Sequence, residues 1–284
     1  MDQRPVSEGG RTPSWHLAAP DNAQTQGLVV SGFAALPTGR ALFLEFGWKG
    51  VKKKGGGAWL EALRKVARVS DAEKPDPRAA AMGFTWSGLQ KMGLNANALA
   101  SFDRPFKEGM FQEDRLRRLG DRRGDAWQGT VIPGGPRWSG NTPLDGAAVD
   151  DESRAFDDRQ EDPEQRVKTP LTVHALLLLY CEHDEAAEDW CERVSKTLEP
   201  FEVRVVHHLP LDLRLDPQGI AREHFGFADG ISQPIPFEAG TVVYRDGGDV
   251  PKDYWNGVPL GEVLMGHRNG HNEIAQGPVV ADGI

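Results

Sequence analysis

Asp229 stands in the run Phe225-Gly226-Phe227-Ala228-Asp229-Gly230-Ile231-Ser232-Gln233-Pro234, one carboxyl group between two glycines and apolar neighbours. An acid so placed is suited to proton transfer. Phe227 and Ile231 would exclude water from it, which disfavours its charged form and moves it towards the range where one group both takes and gives a proton. Gly226 and Gly230 lack a Cβ, so the backbone there can adopt conformations closed to other residues and lie flat against a bulky ligand. The bland reading is equally open, because Asp-Gly is among the commonest turn dipeptides. Among the histidines, His267 and His271 are four residues apart, the spacing at which a helix turns two imidazoles towards one metal. Gly266, Asn269 and Gly270 oppose a helix there and favour a polar loop, so no metal-ligand set is expected. His207 and His208 adjoin at a strand end, point to opposite faces and cannot chelate together. His174 reads as a buried, hydrogen-bonded core residue.

The elements that must position Asp229 follow from hydrophobic periodicity. Ala41 to Phe46, bounded by Gly39 and Gly47, has the profile of a buried strand. Trp59, Leu60, Leu63, Val66 and Ala67 recur at helical spacing, with Glu61, Arg64, Lys65 and Arg68 left for water. Ala79 to Thr85 reads as a second strand, and Val173 to Tyr180, with its four leucines, as a central third. Asp184 is the expected N-cap of a helix whose apolar stripe is Ala187, Trp190, Cys191, Val194 and Leu198, with Pro200 as its stop. Phe201, Val203 and Val205 then alternate with charged residues as a half-buried strand. Strand, helix, strand, then strand, helix, strand is the split βαβ of a ferredoxin-like sheet, an α+β fold with helices on one face of an antiparallel sheet.

Three domain stretches are expected: a polar tail over residues 1–25 with order beginning near Gly27, a ferredoxin-like domain over 26–240, and the start of an incomplete second unit over 241–284. Lys52-Lys53-Lys54 with Gly55-Gly56-Gly57 reads as a solvated loop tip, and the acidic stretch 141–170 as a solvated loop. Across 284 residues, 39% hydrophobic and 26% charged residues are ordinary for a globular chain. A net charge of −9 disfavours nucleic-acid phosphates as partners. No signal segment or membrane span is evident, so no membrane partner is expected. Cys181 and Cys191, the only cysteines, offer no disulfide framework and suit a reducing cytoplasm.

The decapeptide resembles the G-x-x-D-G signature of the dye-decolorising peroxidases, whose wording Phe-Ala-Asp-Gly-Ile-Ser-Gln-Pro it shares. Further stretches look like family landmarks in the family's order: Gln26-Gly27-Leu28-Val29, Phe106 to Met110, Leu119-Gly120-Asp121 with Trp127, and Val173 to Leu177. The resemblance implies two ferredoxin-like units with haem b between them. It implies a haem-dependent peroxidase that reduces hydrogen peroxide while oxidising small organic reductants, phenols or dyes, with Asp229 as distal acid and base. Phe227, Ala228, Asp229, Gly230, Ile231, Ser232 and Gln233 would shape the distal haem face, and His224 would line the cavity or simply pack. The family's proximal histidine and distal arginine lie well downstream of the motif. Leu264 to Gly270 resembles the linker that precedes that histidine, so the chain is expected to be truncated before its iron ligand. Two alternatives follow: a haem-free ferredoxin-like binding module, or one half of a split peroxidase completed by a C-terminal partner. A homo-oligomer is also open.

Overall fold

A computed structural model describes residues 15–30, 33, 35–49, 57–73, 77–108, 173–211, 213–223, 225–228, 234–244 and 256–279. In chain order the elements are β1 (Trp15–Leu17), α1 (Asp21–Gln24), α2 (Gly27–Val30), β2 (Thr38–Phe46), α3 (Ala58–Arg64), β3 (Ala79–Phe84), α4 (Trp86–Met92), α5 (Ala96–Ser101), α6 (Arg104–Glu108), β4 (Ala175–Cys181), α7 (Asp184–Leu198), β5 (Val203–Pro210), β6 (Ile235–Phe237), β7 (Val242–Tyr244) and β8 (Gly257–Pro259). They divide between two compact units. The Lys-Gly loop tip at 52–56, the acidic stretch 141–170 and the landmark at 119–127 lie outside the described residues.

One unit, Ala34–Val69 with Asp76–Leu213 and Gly277–Ile284, contains a four-stranded antiparallel sheet in the order β3-β4-β2-β5. That places its second, third, first and fourth strands side by side, which is the ferredoxin-like order, and β4 is central as its leucine run requires. Period-two alternation turns Leu42, Leu44 and Phe46 of β2 and Ala175, Leu177, Leu179 and Cys181 of β4 to one face. There they pack with Trp59 and Leu63 of α3 and with Ala187, Trp190, Cys191, Val194 and Leu198 of α7. The fold is α+β with these helices on one face of the sheet.

Most polar groups inside this core are paired, the buried Trp59 Nε1 being an exception. Arg40, 3% exposed, donates from Nε to Glu188 Oε1 at 2.9 Å, pairs with Asp184, and donates to the Gly39 carbonyl at 2.8 Å. The Nδ1 atom of His174, 4% exposed, accepts the Phe46 amide at 2.9 Å, and the ring stacks on Phe46. Burial, reinforced by the charge of Lys91, depresses the His174 pKa to about 3, so this imidazole is neutral. Gly88 of α4 packs against the His174 carbonyl so closely that a Cβ would sit 2.0 Å from its oxygen.

Three local expectations are corrected. The N-cap of α7 is His183, whose Nδ1 accepts the Ala186 amide at 3.2 Å, and not Asp184. Asp184 is engaged by Arg40 instead, and as a first-turn carboxylate it still complements the helix dipole. Phe201 belongs to a 3-10 turn, Glu199–Phe201, because Pro200 withholds an amide and Glu202 reverses the chain at φ 56°; β5 begins only at Val203. The chain is ordered by Trp15, upstream of Gly27. Trp15 and Leu17 alternate with His16 and reach an apolar cluster, while β1 pairs with β7.

The other unit, Met1–Phe33 with Ser70–Pro75 and Arg214–Gln276, has two small sheets, β1 with β7 antiparallel and β6 with β8 parallel. Its core is slight. Leu17, Val30 and Leu260 are buried, with Trp15, Ala72, Val242 and Leu264 packed around them. The Tyr244 hydroxyl donates to the Pro236 carbonyl and ties β7 to β6. Among the described residues no helix is long and apolar enough to cross a membrane.

Candidate active site

The first glycine of the Gly226–Gly230 motif closes the second of two consecutive hairpin turns. In the first turn the Asp216 carbonyl accepts the Gly219 amide at 2.8 Å, and the Asp216 amide donates to Ile220 at 2.9 Å. Gly219 takes φ +78°. In the second, the Glu223 carbonyl accepts the Gly226 amide and the Glu223 amide donates to Phe227, both at 3.0 Å, with Gly226 at φ +86°. Each is a hairpin loop closed by a left-handed residue, a position glycine fills without Cβ strain. Bridges Leu215↔Ala221 and Arg222↔Ala228 zip the two hairpins into three short plies. Gly226 therefore serves the turn itself, and a Cβ there would meet nothing within 4 Å.

Asp216 is the organising side chain. Its Oδ1 accepts the Gln218 and Ile220 amides, both at 2.9 Å, and its Oδ2 accepts Nε of Arg222 at 2.8 Å and makes an ion-pair contact with another guanidinium nitrogen at 2.7 Å. Hydrogen bonds from the Ile220 amide, Arg222 and the Gln218 amide hold its carboxyl below the usual range, so it stays charged. Arg222 also donates to the Gly226 carbonyl at 3.3 Å, so its guanidinium touches both turns. Sequence reading passed over both residues. Asp216-Pro217-Gln218-Gly219 carries the signal that finds them, with Asp first, proline second and glycine fourth in a type I turn.

Of the expected site residues, Phe227 is 70% exposed and Ala228 is half-buried at its bridge to Arg222. Phe225 is 87% exposed. The phenyl ring expected to shield the acid is thus itself largely in water. Asp229, Gly230, Ile231, Ser232 and Gln233 lie outside the described residues, as does His224.

The other histidines are distributed through the chain. His267 Nδ1 lies 2.7 Å from Glu238 Oε2, and Asp21 is 3.9 Å from its Nε2. His271 is exposed in a turn, so the pair is not carried on a helix. His207 stacks edge-on against Phe43, and His208 is exposed. Among the described residues no cluster of three or more histidine, cysteine or carboxylate side chains is arranged to hold a metal ion.

Set against solved structures, the chain aligns over most of its length with dye-decolorising peroxidases. One in complex with cyanide is 20% identical, with a TM-score of 0.54 over 88% of this chain and 45% of that one. Another, in complex with 2,6-dimethoxyphenol, is 21% identical with a TM-score of 0.52 over the same shares. The enzyme from Auricularia auricula-judae is 14% identical, with a TM-score of 0.51 over 90% of this chain and 45% of that one. The fold is that of a dye-decolorising peroxidase. The chain spans less than half the length of the peroxidases it matches. No family model matches the sequence, and no curated protein does.

The fit of haem to this peroxidase-like fold divides by side. Two exposed phenyl rings flanking a glycine with no Cβ suit a flat apolar macrocycle. Nδ1 of His174 and of His183 each accept a backbone amide, which leaves their Nε2 carrying the proton and not free for iron, while Nδ1 of His267 lies against Glu238.

Proposed function

We propose that the chain contributes the distal half of a haem peroxidase site, reducing hydrogen peroxide at the expense of phenols or dyes, with Asp229 as the acid and base. The observation that supports the reading is the double hairpin, which carries Gly226, Phe227 and Ala228 at the start of the motif, with two exposed phenyl rings, within a peroxidase fold. Haem b, when bound, would supply the iron at which peroxide is reduced and the ring that accepts electrons from the reductant. Asp229 takes the proton from the near oxygen of peroxide and returns it to the far oxygen as the O–O bond breaks, so that water leaves. Two electrons from the reductant and two protons then complete the conversion of one peroxide to two waters. In this reading Phe227, Ala228, Gly230, Ile231, Ser232 and Gln233 would shape the haem face around that carboxyl. A phenol suits the role of reductant, since one matched peroxidase is in complex with 2,6-dimethoxyphenol. Both cysteines are free and buried, which agrees with a reducing cytoplasm.

The second reading is a split site, in which another polypeptide provides the axial nitrogen. It is favoured by His174 and His183, whose Nδ1 atoms accept backbone amides and whose Nε2 atoms therefore carry the proton. A haemin titration of the full chain, with and without added imidazole, separates the readings. A Soret shift without imidazole supports an axial ligand within the chain, and a shift only with imidazole supports a ligand from elsewhere. No shift in either case removes haem and leaves a ferredoxin-like binding module.

A further inference from the structure

Three polar side chains of the unit with the slighter core come together from distant parts of the sequence: Asp21 from α1, Glu238 from the turn between β6 and β7, and His267 from the loop beyond β8. We propose that Asp21 and His267 bind one divalent transition-metal ion of the zinc class, that Glu238 orients the imidazole, and that water fills the remaining positions. The inference stands apart from the peroxidase reading and from haem.

Nδ1 of His267 lies 2.7 Å from Glu238 Oε2. An ionised carboxylate can only accept, so in the neutral imidazole Nδ1 carries the proton and Nε2 keeps a lone pair. Asp21 Oδ2 lies 3.9 Å from that Nε2. Two acceptors thus face each other across a gap that neither can bridge with a hydrogen of its own, and a cation satisfies both. A tetrahedral ion about 2.1 Å from each atom would hold them roughly 3.4 Å apart, so the gap has to close by only about half an ångström. A ligand histidine whose other ring nitrogen donates to a carboxylate is held in one tautomer and made more basic, which is the part Glu238 plays. Imidazole with carboxylate suits zinc or copper, whereas magnesium and calcium favour oxygen alone. Among the described residues no third direct ligand joins the pair, and the half-buried setting of all three side chains admits water to complete the shell. His271, exposed in its turn, takes no part. The main apolar cluster of this unit has only Leu17, Val30 and Leu260 buried, so an ion joining its N-terminal and C-terminal segments adds a staple where the core is thin.

The test titrates the haem-free full chain with zinc chloride at neutral pH by calorimetry, beside His267→Ala, Asp21→Asn, Glu238→Gln and His271→Ala. The parent is expected to take up a single equivalent and to melt at a higher temperature with zinc than without. Binding should vanish in His267→Ala, weaken roughly tenfold or more in Asp21→Asn, weaken roughly ten- to a hundredfold in Glu238→Gln, and stay parental in His271→Ala. Copper(II) placed in the parent reports its ligands directly: its electron paramagnetic resonance spectrum should carry the splitting of one imidazole nitrogen, a readout that holds even where a variant fails to fold. A parent that binds no zinc overturns the proposal, leaving a protonated histidine between two carboxylates. Equal binding by every variant overturns it as an adventitious ion only, and loss of binding in His271→Ala overturns it by moving the ion to the exposed turn. Copper without nitrogen splitting overturns it too.

Discussion

The two units bury different things. The sheet unit encloses its leucines, three tryptophans, a neutral histidine and a paired arginine, and almost every polar group inside it is answered. The motif unit closes over only three buried apolar residues in its main cluster and leaves Phe225 and Phe227 in water. Exposed aromatic rings beside a left-handed glycine are the kind of apolar surface that the proposed haem face would use. The larger core lies in one unit, and the proposed site lies in the other.

The largest effect that sharpens this contrast is Leu177→Ala. Leu177 is fully buried at the centre of the sheet, and its truncation is expected to cost about 2–5 kcal/mol by denaturant melting. A cost near zero would mean that the sheet is not the stabilising body.

Next comes acid. In the folded chain His174 has its pKa depressed from 6.5 to about 3, while the unfolded chain keeps the ordinary value. The unfolded state therefore binds the extra proton, and stability is lost as pH falls from 6.5 towards 3, at up to about 1.4 kcal/mol per pH unit. His174→Gln should be less stable at neutral pH and lack that histidine's share of the slope, as read from urea midpoints across the window. A slope identical to the parent's would contradict the neutral, buried imidazole.

A smaller change is expected from Gly226→Ala. Space is open around it, so only the left-handed backbone is strained, at about 1–2 kcal/mol, and the loss should appear as local opening of the hairpin in amide exchange. Smallest of all is the double change Phe225→Ser with Phe227→Ser. These exposed rings contribute little to folding, so the shift should stay within about 0.5 kcal/mol while haemin affinity falls. A large loss of stability there would erase the distinction between the units.

Much of the sheet unit was legible because period two and period 3.6 recur strongly where whole faces are buried. Ala41 to Phe46, Ala79 to Phe84 and the stripe from Ala187 to Leu198 occupy the elements their patterns indicate. What escaped was decided by partners distant in sequence. Arg40, 144 residues from Asp184, draws that carboxylate away from capping, and an imidazole takes its place. Trp15 and Leu17 look like part of a polar tail until β7, far along the chain, pairs with them. At the candidate site the reading caught the motif but not its support, since turn chemistry at Asp216 to Gly219 has no hydrophobic period. The glycine at 226 was read as making room for a ligand, and its left-handed backbone shows that it also closes a turn.

Steady-state oxidation of 2,6-dimethoxyphenol by the haemin-loaded full chain, parent against Asp229→Asn and with imidazole where the iron needs it, tests the central claim most directly. The amide removes the proton acceptor while keeping the shape, so the peroxide-dependent rate is expected to fall roughly 10²- to 10⁴-fold with haemin affinity unchanged. An Asp229→Asn chain as fast as the parent would contradict the account.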